Sequence, residues 1–266
     1  MSENKFNRQW NAVVLAGDRG VSDPVAVAAG VQGKAFAKLQ NTTLLERIIT
    51  VLTATPVINQ IYLIGPEQKY LAANPRVNSF LEQQRDVRVL KPASGPSASA
   101  LLGVTQSNFY PTLIVTCDLA LLNENVLMNY CKVMSEIDAD FVACAIDYQS
   151  IHTKLPELKK TQYRFGQHTV CFANVFSVLS PRGLNAIDYW QTVEDSRKKP
   201  VQLIRKIDWF SLLRYKFGYL DLDQVVAKLS DKVDARLKIE QMSYPELAID
   251  VDSAHDYQVM KKFLAK

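Results

Sequence analysis

Short apolar runs alternate with segments of helical spacing along the first 147 residues. Each run is bounded by glycine, proline or polar residues, which is typical of buried strands. The runs that we interpret as strands are 12–16, 61–64, 87–90, 112–116 and 139–146. Between them, apolar residues recur at helical spacing over 43–53, and 123–135 is predicted as a second helix. This alternation predicts an α/β fold with a Rossmann-like, mostly parallel central sheet flanked by helices.

The pattern changes after residue 147, where strands and helices stop alternating. Residues 163–166 and 170–176 carry apolar and aromatic side chains without helical spacing, so we predict a strand in each segment. The other elements predicted here are a helix at 221–229, a strand at 235–240, and a strand at 245–252 that leads into a helix capped by Ser253.

A basic amphipathic segment lies at 198–217. Its apolar residues form a stripe with lysine and arginine side chains around it. We favour a helix that packs its stripe on the core and leaves the charges in water. Contact with a membrane surface and a basic lid over an anionic substrate are the alternatives.

The composition is ordinary for a soluble globular protein. Apolar residues make up 48% and charged residues 22% of the 266 positions. We predict a single domain over 1–266, with a core at 10–147 and a second part at 148–266. The net charge of +4 suits an anionic small molecule and is too small to indicate a nucleic-acid partner.

The sequence predicts no targeting segment and no cysteine motif. The first ten residues are polar, and no segment reaches the run of about 18 apolar residues that a membrane span needs. We therefore expect a cytoplasmic protein. The cysteines form no CxxC pair, and we expect buried free thiols at Cys117, Cys131, Cys144 and Cys171.

The segment at 11–47 has a layout suited to phosphate binding. Its apolar strand ends at Gly17, a long polar loop with several glycines occupies 18–33, and Lys34 precedes the helix that opens near Thr43. Glycines let backbone approach an anion, loop N–H groups can cradle it, and a lysine adds positive charge. Lys34 is followed by Ala35, so the segment is not a P-loop, and the dinucleotide fingerprint GxGxxG is also absent.

Three acidic residues are candidates for holding a metal. Asp118 follows the strand at 112–116, and the carboxyl ends of parallel strands are where open α/β sheets bind ligands. Asp250 and Asp252 lie two residues apart and would face one side of an extended strand. Carboxylate oxygens suit Mg²⁺. The alternative is that Asp118 and Asp252 only cap helices and that Asp250 is solvated.

A loop rich in serine and glycine at 93–100 leads into a predicted helix, with Ser97 as its N-cap. Small residues there allow close approach by a ligand. An ordinary capped helix is the alternative interpretation.

The opening segment resembles the MobA-like nucleotidyltransferases, which are NTP transferases of the GT-A type. Their pattern is LAGG-x-G-x-R, then PK after a short gap, then L-x-L-x-G-x-P-L-L-x-R. The positions that match are Leu15, Ala16, Gly17, Lys34, Leu39, Leu44, Leu45 and Arg47. The chain differs at Asp18, Gly33 and Thr43, and its gap before the lysine is longer.

Later segments resemble the same family in family order. Residues 117–121 resemble its (G/C)-D-x-P-(L/F) element, and 250–256 resemble its terminal D-x-D-(T/S)-P-x-D element, each with alanine in place of proline. The loop at 93–100 takes the place of a family loop that meets base and ribose. Asn174 lies in a stretch that is similar to the family's acceptor-side segment.

The resemblance implies a metal-dependent nucleotidyltransferase that moves an NMP group from an NTP to a small, phosphorylated acceptor and releases pyrophosphate. It implies Lys34 and Asp118 as catalytic residues, with Arg19 or Lys38 as further phosphate contacts. Asp118, Asp250 and Asp252 would hold Mg²⁺ or Mn²⁺. The residues implied in nucleotide binding are Leu15, Ala16, Gly17, Asp18, Arg19, Gly20, Ser94, Gly95 and Ser97.

Two other classes of function remain open. A GT-A glycosyltransferase would use a nucleotide sugar at a similar sheet and metal site. A non-catalytic nucleotide-binding protein would bind NTP without chemistry, and Asp18 with the missing prolines favours it.

Overall fold

A mixed, mostly parallel sheet lies at the centre of the computed structural model, which describes residues 9–17, 22–165, 168–193 and 222–265. In the described chain the sheet has the order β10-β7-β9-β6-β1-β4-β5, and β8 pairs with β9. Its strands are β1 (Trp10–Leu15), β4 (Ile58–Ile64), β5 (Val87–Leu90), β6 (Thr112–Thr116), β7 (Phe141–Asp147), β8 (Tyr163–Phe165), β9 (His168–Val178) and β10 (Leu237–Met242). A small antiparallel hairpin is formed by β2 (Lys38–Leu39) and β3 (Thr42–Thr43).

Helices cover both faces of this sheet. They are α1 (Pro24–Ala29), α2 (Leu44–Ala54), α3 (Gln68–Ala72), α4 (Pro75–Glu82), α5 (Pro96–Ser107), α6 (Glu124–Glu136), α7 (Tyr148–Lys154), α8 (Leu184–Val193), α9 (Leu222–Val233) and α10 (Ala254–Leu264). Single 3₁₀ turns are present at Lys34–Phe36, Pro181–Gly183 and Pro245–Leu247.

Strand direction confirms the predicted α/β class. β1 runs parallel to both of its neighbours, β4 and β6, and β10 runs parallel to β7. β9 is antiparallel and lies between β6 and β7. The carboxyl ends of β1, β4 and β6 therefore meet at one edge of the sheet, which is where the predicted site residues lie.

Alternation along β1 divides the core between the two faces of the sheet. Ala12 and Val14 pack in the larger apolar cluster with α2, α6 and α10, whereas Val13 packs in the smaller cluster with α5 and α8. A Cβ on Gly103 of α5 would lie 2.4 Å from Cγ1 of Val13, so α5 approaches β1 closely only because this position is glycine.

The long loop predicted at 18–33 contains a helix, so that prediction was wrong over α1. Asp23 caps the helix, since its carboxylate accepts hydrogen bonds from the backbone of Val25 (2.9 Å) and Ala26 (3.2 Å). Pro24 occupies the first helical position, and Gly30 ends the helix with a φ of 66°. The Asp-Pro start and the glycine at the end are a capping signal in the sequence. The signal was overlooked because the helix is short and its apolar residues show little helical periodicity.

Three further predictions need correction. The helix after the serine-rich loop is capped by Gly95 and has Pro96 at its first position, so Ser97 lies inside the first turn and is not the N-cap. The segment after β7 forms α7, which was not predicted and which the Asp147 carboxylate caps by accepting from Ser150 N. The strand predicted over 245–252 is absent, because a 3₁₀ turn and an irregular segment replace it.

Other expectations agree with the structure or lie outside it. The four cysteines are buried and free, as predicted. Among the described residues, no helix combines the length and apolar character that crossing a membrane requires. The basic segment at 198–217 lies outside the described residues, as do Asp18, Arg19 and Gly20.

Candidate active site

Three aspartates from two distant parts of the chain converge at the carboxyl edge of the sheet. One carboxylate oxygen from each of Asp118, Asp250 and Asp252 lies within 4.8 Å of the other two. The carbonyl of Asp118 accepts a hydrogen bond from the backbone N–H of Val251 at 3.1 Å, which fastens the C-terminal segment to the end of β6. The three residues therefore meet although the predicted strand over 245–252 does not form.

Lys34 contacts two of these carboxylates. Its ammonium group donates to Oδ2 of Asp118 and to Oδ1 of Asp252, the latter at 3.1 Å. Burial alone would lower the pKa of Lys34, but the charges of Asp118 and Asp252 outweigh it and hold that pKa above its ordinary value. The lysine thus supplies a fixed positive charge to the cluster.

The capping interpretation of these aspartates is wrong. Helix α6 is capped by Asn123, whose side chain accepts from Val126 N, and α10 is capped by Ser253. Asp118 is only 3% exposed, and its Oδ1 accepts from the hydroxyl of Thr116 at 2.6 Å. Asp250 is 7% exposed, so the alternative of a solvated carboxylate at this position is also wrong.

Two residues that the sequence did not assign to the metal site hold Asp250. The ammonium group of Lys160 donates to the carbonyl oxygen of Asp250 at 2.8 Å and to its carboxylate Oδ1. The side-chain amide of Asn174, on β9, donates to the other carboxylate oxygen. Lys160 is 90 positions away from Asp250 and lies in a polar stretch, so no local pattern could have identified it.

The described residues that were predicted for nucleotide binding lie at the carboxyl end of β1, just after it, in the loop before α5 and in the first turn of α5. Leu15 pairs with Thr116 across β1 and β6, so the chain leaves β1 next to the segment that carries Asp118. A Cβ on Gly17 would lie 3.7 Å from Cβ of Pro92, which brings the start of the serine-rich loop close to Gly17. In that loop Ser94 is exposed and Ser97 is buried.

Gly65, directly after β4, packs against the start of the loop that follows β1. Its φ is +81°, and a Cβ there would lie 3.0 Å from both Ala16 O and Gly17 N. Only glycine tolerates this conformation and this close approach without strain. Gly65 was not among the predicted site residues, although a glycine at the end of a buried strand is a recognisable signal.

Lys38, named as an alternative phosphate contact, lies elsewhere. It is exposed and lines a cleft with Phe36 and Arg76, and the lining of that cleft includes none of the three aspartates. Among the described residues, Lys34 is therefore the better placed of these two lysines to meet phosphates.

The donor set fits a hard divalent cation. Three carboxylates supply oxygen ligands, and these are the ligands that Mg²⁺ and Mn²⁺ prefer. The ammonium groups of Lys34 and Lys160 offset two of the three negative charges, which leaves an excess of negative charge for a cation to neutralise. The edge thus combines acidic ligands, a cationic side chain and glycine-lined backbone.

This combination is typical of α/β proteins that bind their ligands at the carboxyl edge of the sheet. Residues 12–198 match the MobA-like NTP transferase domain, and the chain belongs to that family. No protein of curated function matches the chain.

Solved structures share the fold. A hypothetical transferase from Thermus thermophilus superposes with a TM-score of 0.73 at 20% identity, covering 94% of this chain and 99% of its own. A 4-diphosphocytidyl-2C-methyl-D-erythritol synthase from Anaerococcus prevotii gives 0.57 at 11% identity over the whole of both chains. A CMP:2-keto-3-deoxy-manno-octonic acid synthetase in complex with CTP gives 0.59 at 7% identity, covering 97% and 98%.

Proposed function

We propose that the protein is a metal-dependent nucleotidyltransferase, which moves an NMP group from an NTP to a small phosphorylated acceptor and releases pyrophosphate. The observation that carries this proposal is the convergence of Lys34 with Asp118, Asp250 and Asp252 at the carboxyl edge of the sheet. Membership of an NTP transferase family and the fold shared with synthases that form cytidylyl products support it.

Each part of the site has a role in this reaction. Asp118, Asp250 and Asp252 would hold Mg²⁺ or Mn²⁺, and the bound ion would neutralise charge that develops on the phosphates. Lys34 stays protonated and attracts the same phosphates. Backbone from Leu15 to Gly17, continuing into Asp18–Gly20, and the loop from Ser94 to Ser97 would hold the nucleotide.

The chemistry is an in-line displacement at the α-phosphorus of the NTP. An oxygen of the acceptor forms a new bond to that phosphorus, and the bond to the bridging oxygen of the β-phosphate breaks. Such a reaction depends on alignment and charge stabilisation more than on a dedicated protein base. We place the nucleotide on the core at 10–147 and the acceptor on the part at 148–266, within one domain over 1–266.

The proposal also covers partners and location. A small-molecule acceptor fits the modest net charge of +4, which gives no reason to invoke nucleic acid. A role in the cytoplasm fits a substrate that is a nucleoside triphosphate.

Thermal unfolding with each of the four NTPs tests the proposal without knowledge of the acceptor. One NTP should raise the melting temperature only when Mg²⁺ or Mn²⁺ is present, because a ligand at a hundredfold of its dissociation constant stabilises a protein by about 2.7 kcal/mol. Asp118→Asn should abolish the effect. With that NTP, pyrophosphate release on addition of phosphorylated small molecules then identifies the acceptor.

Two results would contradict the proposal. If no NTP stabilises the protein with either metal, the site does not bind nucleotides as proposed. Turnover of a nucleotide sugar without release of pyrophosphate would instead assign the site to a glycosyltransferase.

A further inference from the structure

Asp250 is a buried carboxylate on irregular backbone. It lies between the 3₁₀ turn at Pro245–Leu247 and helix α10, outside every strand and helix. A sheet or helix would fix the direction of a side chain through its backbone, and here that support is missing. The position of this carboxylate therefore depends on the side chains that donate hydrogen bonds to it.

Both oxygens of the Asp250 carboxylate have donors. Lys160 donates to Oδ1 and also to the backbone carbonyl of the same residue, so one ammonium group holds both ends of Asp250. Asn174 donates to Oδ2 from β9. The side chains of Lys160 and Asp250 are each only 10% exposed, so solvent screens this contact weakly.

The segment that carries Lys160 is itself fastened to the C-terminal segment. Lys154, at the end of α7, forms an ion pair with Glu246. The ring nitrogen Nε2 of His255 lies 2.9 Å from the carbonyl oxygen of Glu157. Leu155 and Leu158, between these points, are buried in the larger core. Lys160 is therefore held in place and does not reach Asp250 as a mobile surface lysine would.

Lys34 and Lys160 meet different members of the aspartate cluster. Lys34 contacts Asp118 and Asp252, whereas Lys160 contacts Asp250. Lys34 approaches from the 3₁₀ turn that follows α1, and Lys160 approaches from the connection between α7 and β8.

We propose that Lys160 and Asn174 are positioning residues, which hold the Asp250 carboxylate in the direction that a divalent cation requires. The inference rests on the proposed function, because it assumes that Asp250 is a metal ligand. Each carboxylate oxygen accepts a hydrogen bond with one lone pair and keeps another for the ion. Outer residues that orient metal ligands typically contribute about 10- to 100-fold to metal affinity.

Direct binding of Mn²⁺, measured from the electron paramagnetic resonance signal of the free ion, tests this role without any turnover. Lys160→Met should weaken Mn²⁺ binding by about tenfold, near the lower end of that range, because loss of a nearby positive charge offsets part of the effect. Asn174→Ala removes one neutral donor and should give a smaller loss. Lys159→Met changes the exposed neighbouring lysine and should leave the affinity unchanged.

A double-mutant cycle separates positioning from a general effect of charge. If Lys160 acts through Asp250, adding Lys160→Met to Asp250→Asn should change Mn²⁺ affinity less than about threefold, since the carboxylate that it orients is gone. Losses that add in full in the double variant would overturn the proposal. Unchanged Mn²⁺ affinity in Lys160→Met, or in Asn174→Ala, would also overturn the proposal.

Thermal unfolding of the same variants guards against loss of the fold. Lys160→Met should lower the melting temperature, because it leaves a buried carboxylate without its charge partner, and Asp250→Asn in the same chain should recover part of the loss. If recovery is absent, the contact does not act as proposed. If the unaltered protein binds no Mn²⁺, the proposed metal site fails as well. If it binds Mn²⁺ and Asp118→Asn weakens binding while Lys160→Met does not, only the positioning role fails.

Discussion

The two halves of the candidate site are built in different ways. Lys34 and Asp118 lie directly beside the sheet, one in a 3₁₀ turn that leads to the β2–β3 hairpin and the other two residues beyond β6. Asp250 and Asp252 lie on an irregular segment, which is fastened by Val251 N to Asp118 O and, at Asp250, by Lys160 and Asn174. The first half takes its geometry from backbone, whereas the second takes it from side chains that are distant in sequence.

The largest expected effect of breaking this arrangement is on the half beside the sheet. Asp118→Asn keeps the size of the side chain and removes a charge that contacts Lys34 and would contact the metal. Nucleotidyl transfer should fall by a factor on the order of 10²–10³. Pyrophosphate release under saturating NTP measures this, and Asp138→Asn, an exposed aspartate, serves as the matched control. Retention of more than a tenth of the activity would contradict the proposed role.

This half was also the more predictable from sequence. Asp118 was found because residues after parallel strands gather at one edge, and Lys34 because a glycine-containing loop and a lysine follow β1. By contrast, Asp250 and Asp252 were selected on the assumption of an extended strand that the structure does not contain. They meet Asp118 because of a backbone hydrogen bond from Val251, which no local pattern encodes.

The site residues that could not be predicted from the sequence also depend on contacts between distant positions. Lys160 and Asn174 act on a residue 90 and 76 positions away, so their importance lies in tertiary contacts and not in spacing. Helices α1 and α7 were missed because each is too short to show a clear helical spacing of apolar residues. Their N-caps, Asp23 and Asp147, stabilise them all the same. The fold itself depends on strand alternation over many residues, and that pattern predicted it correctly.

A second expected effect concerns the charge that Lys34 supplies. Lys34→Met leaves Asp118 and Asp252 without the ammonium group that both contact, and Lys34 is 15% exposed in its side chain. Breaking a largely buried ion pair costs about 3–5 kcal/mol, so the free energy of unfolding should fall by an amount near the lower end. Urea unfolding measures it. Saturating Mn²⁺ should recover part of the loss, since a bound cation offsets the charge of the same carboxylates. If Mn²⁺ does not change the free energy of unfolding of this variant, the result counts against the metal site.

A third variant tests the backbone half through Gly65. Gly65→Ala places a Cβ 3.0 Å from Ala16 O and Gly17 N in a residue with φ of +81°, so the loop after β1 must shift. We expect a loss of about 1–3 kcal/mol in stability and weaker NTP binding, while Mn²⁺ affinity stays as before. Gly30→Ala, also at positive φ but with open space around its Cβ, is the control for strain alone. Equal NTP binding in both variants would mean that the loop after β1 does not hold the nucleotide.

The smallest expected effect lies at the opposite edge of the sheet and depends on pH. Burial alone would raise the pKa of Asp140, but hydrogen bonds from Arg236 and Ser180 and the charge of Arg236 lower it to about 2. Because the folded-state pKa lies below the unfolded value near 3.9, this contribution to stability is complete above about pH 4 and is lost as the pH falls toward 2. We expect the free energy of unfolding of Asp140→Asn, measured with urea between pH 2 and 5, to depend less steeply on pH than that of the unaltered protein. An unchanged dependence on pH would show that Asp140 does not contribute to stability in acid.

We propose that two halves of different construction supply one metal site. The most direct test is the metal-dependent stabilisation by NTP in Asp118→Asn, Asp250→Asn and the double variant, measured by thermal unfolding. Our account predicts that either substitution alone removes most of that stabilisation and that the double variant loses little more, because both carboxylates serve one ion. Stabilisation that survives Asp250→Asn in full, or losses that simply add, would show that the C-terminal segment does not share the site of Asp118.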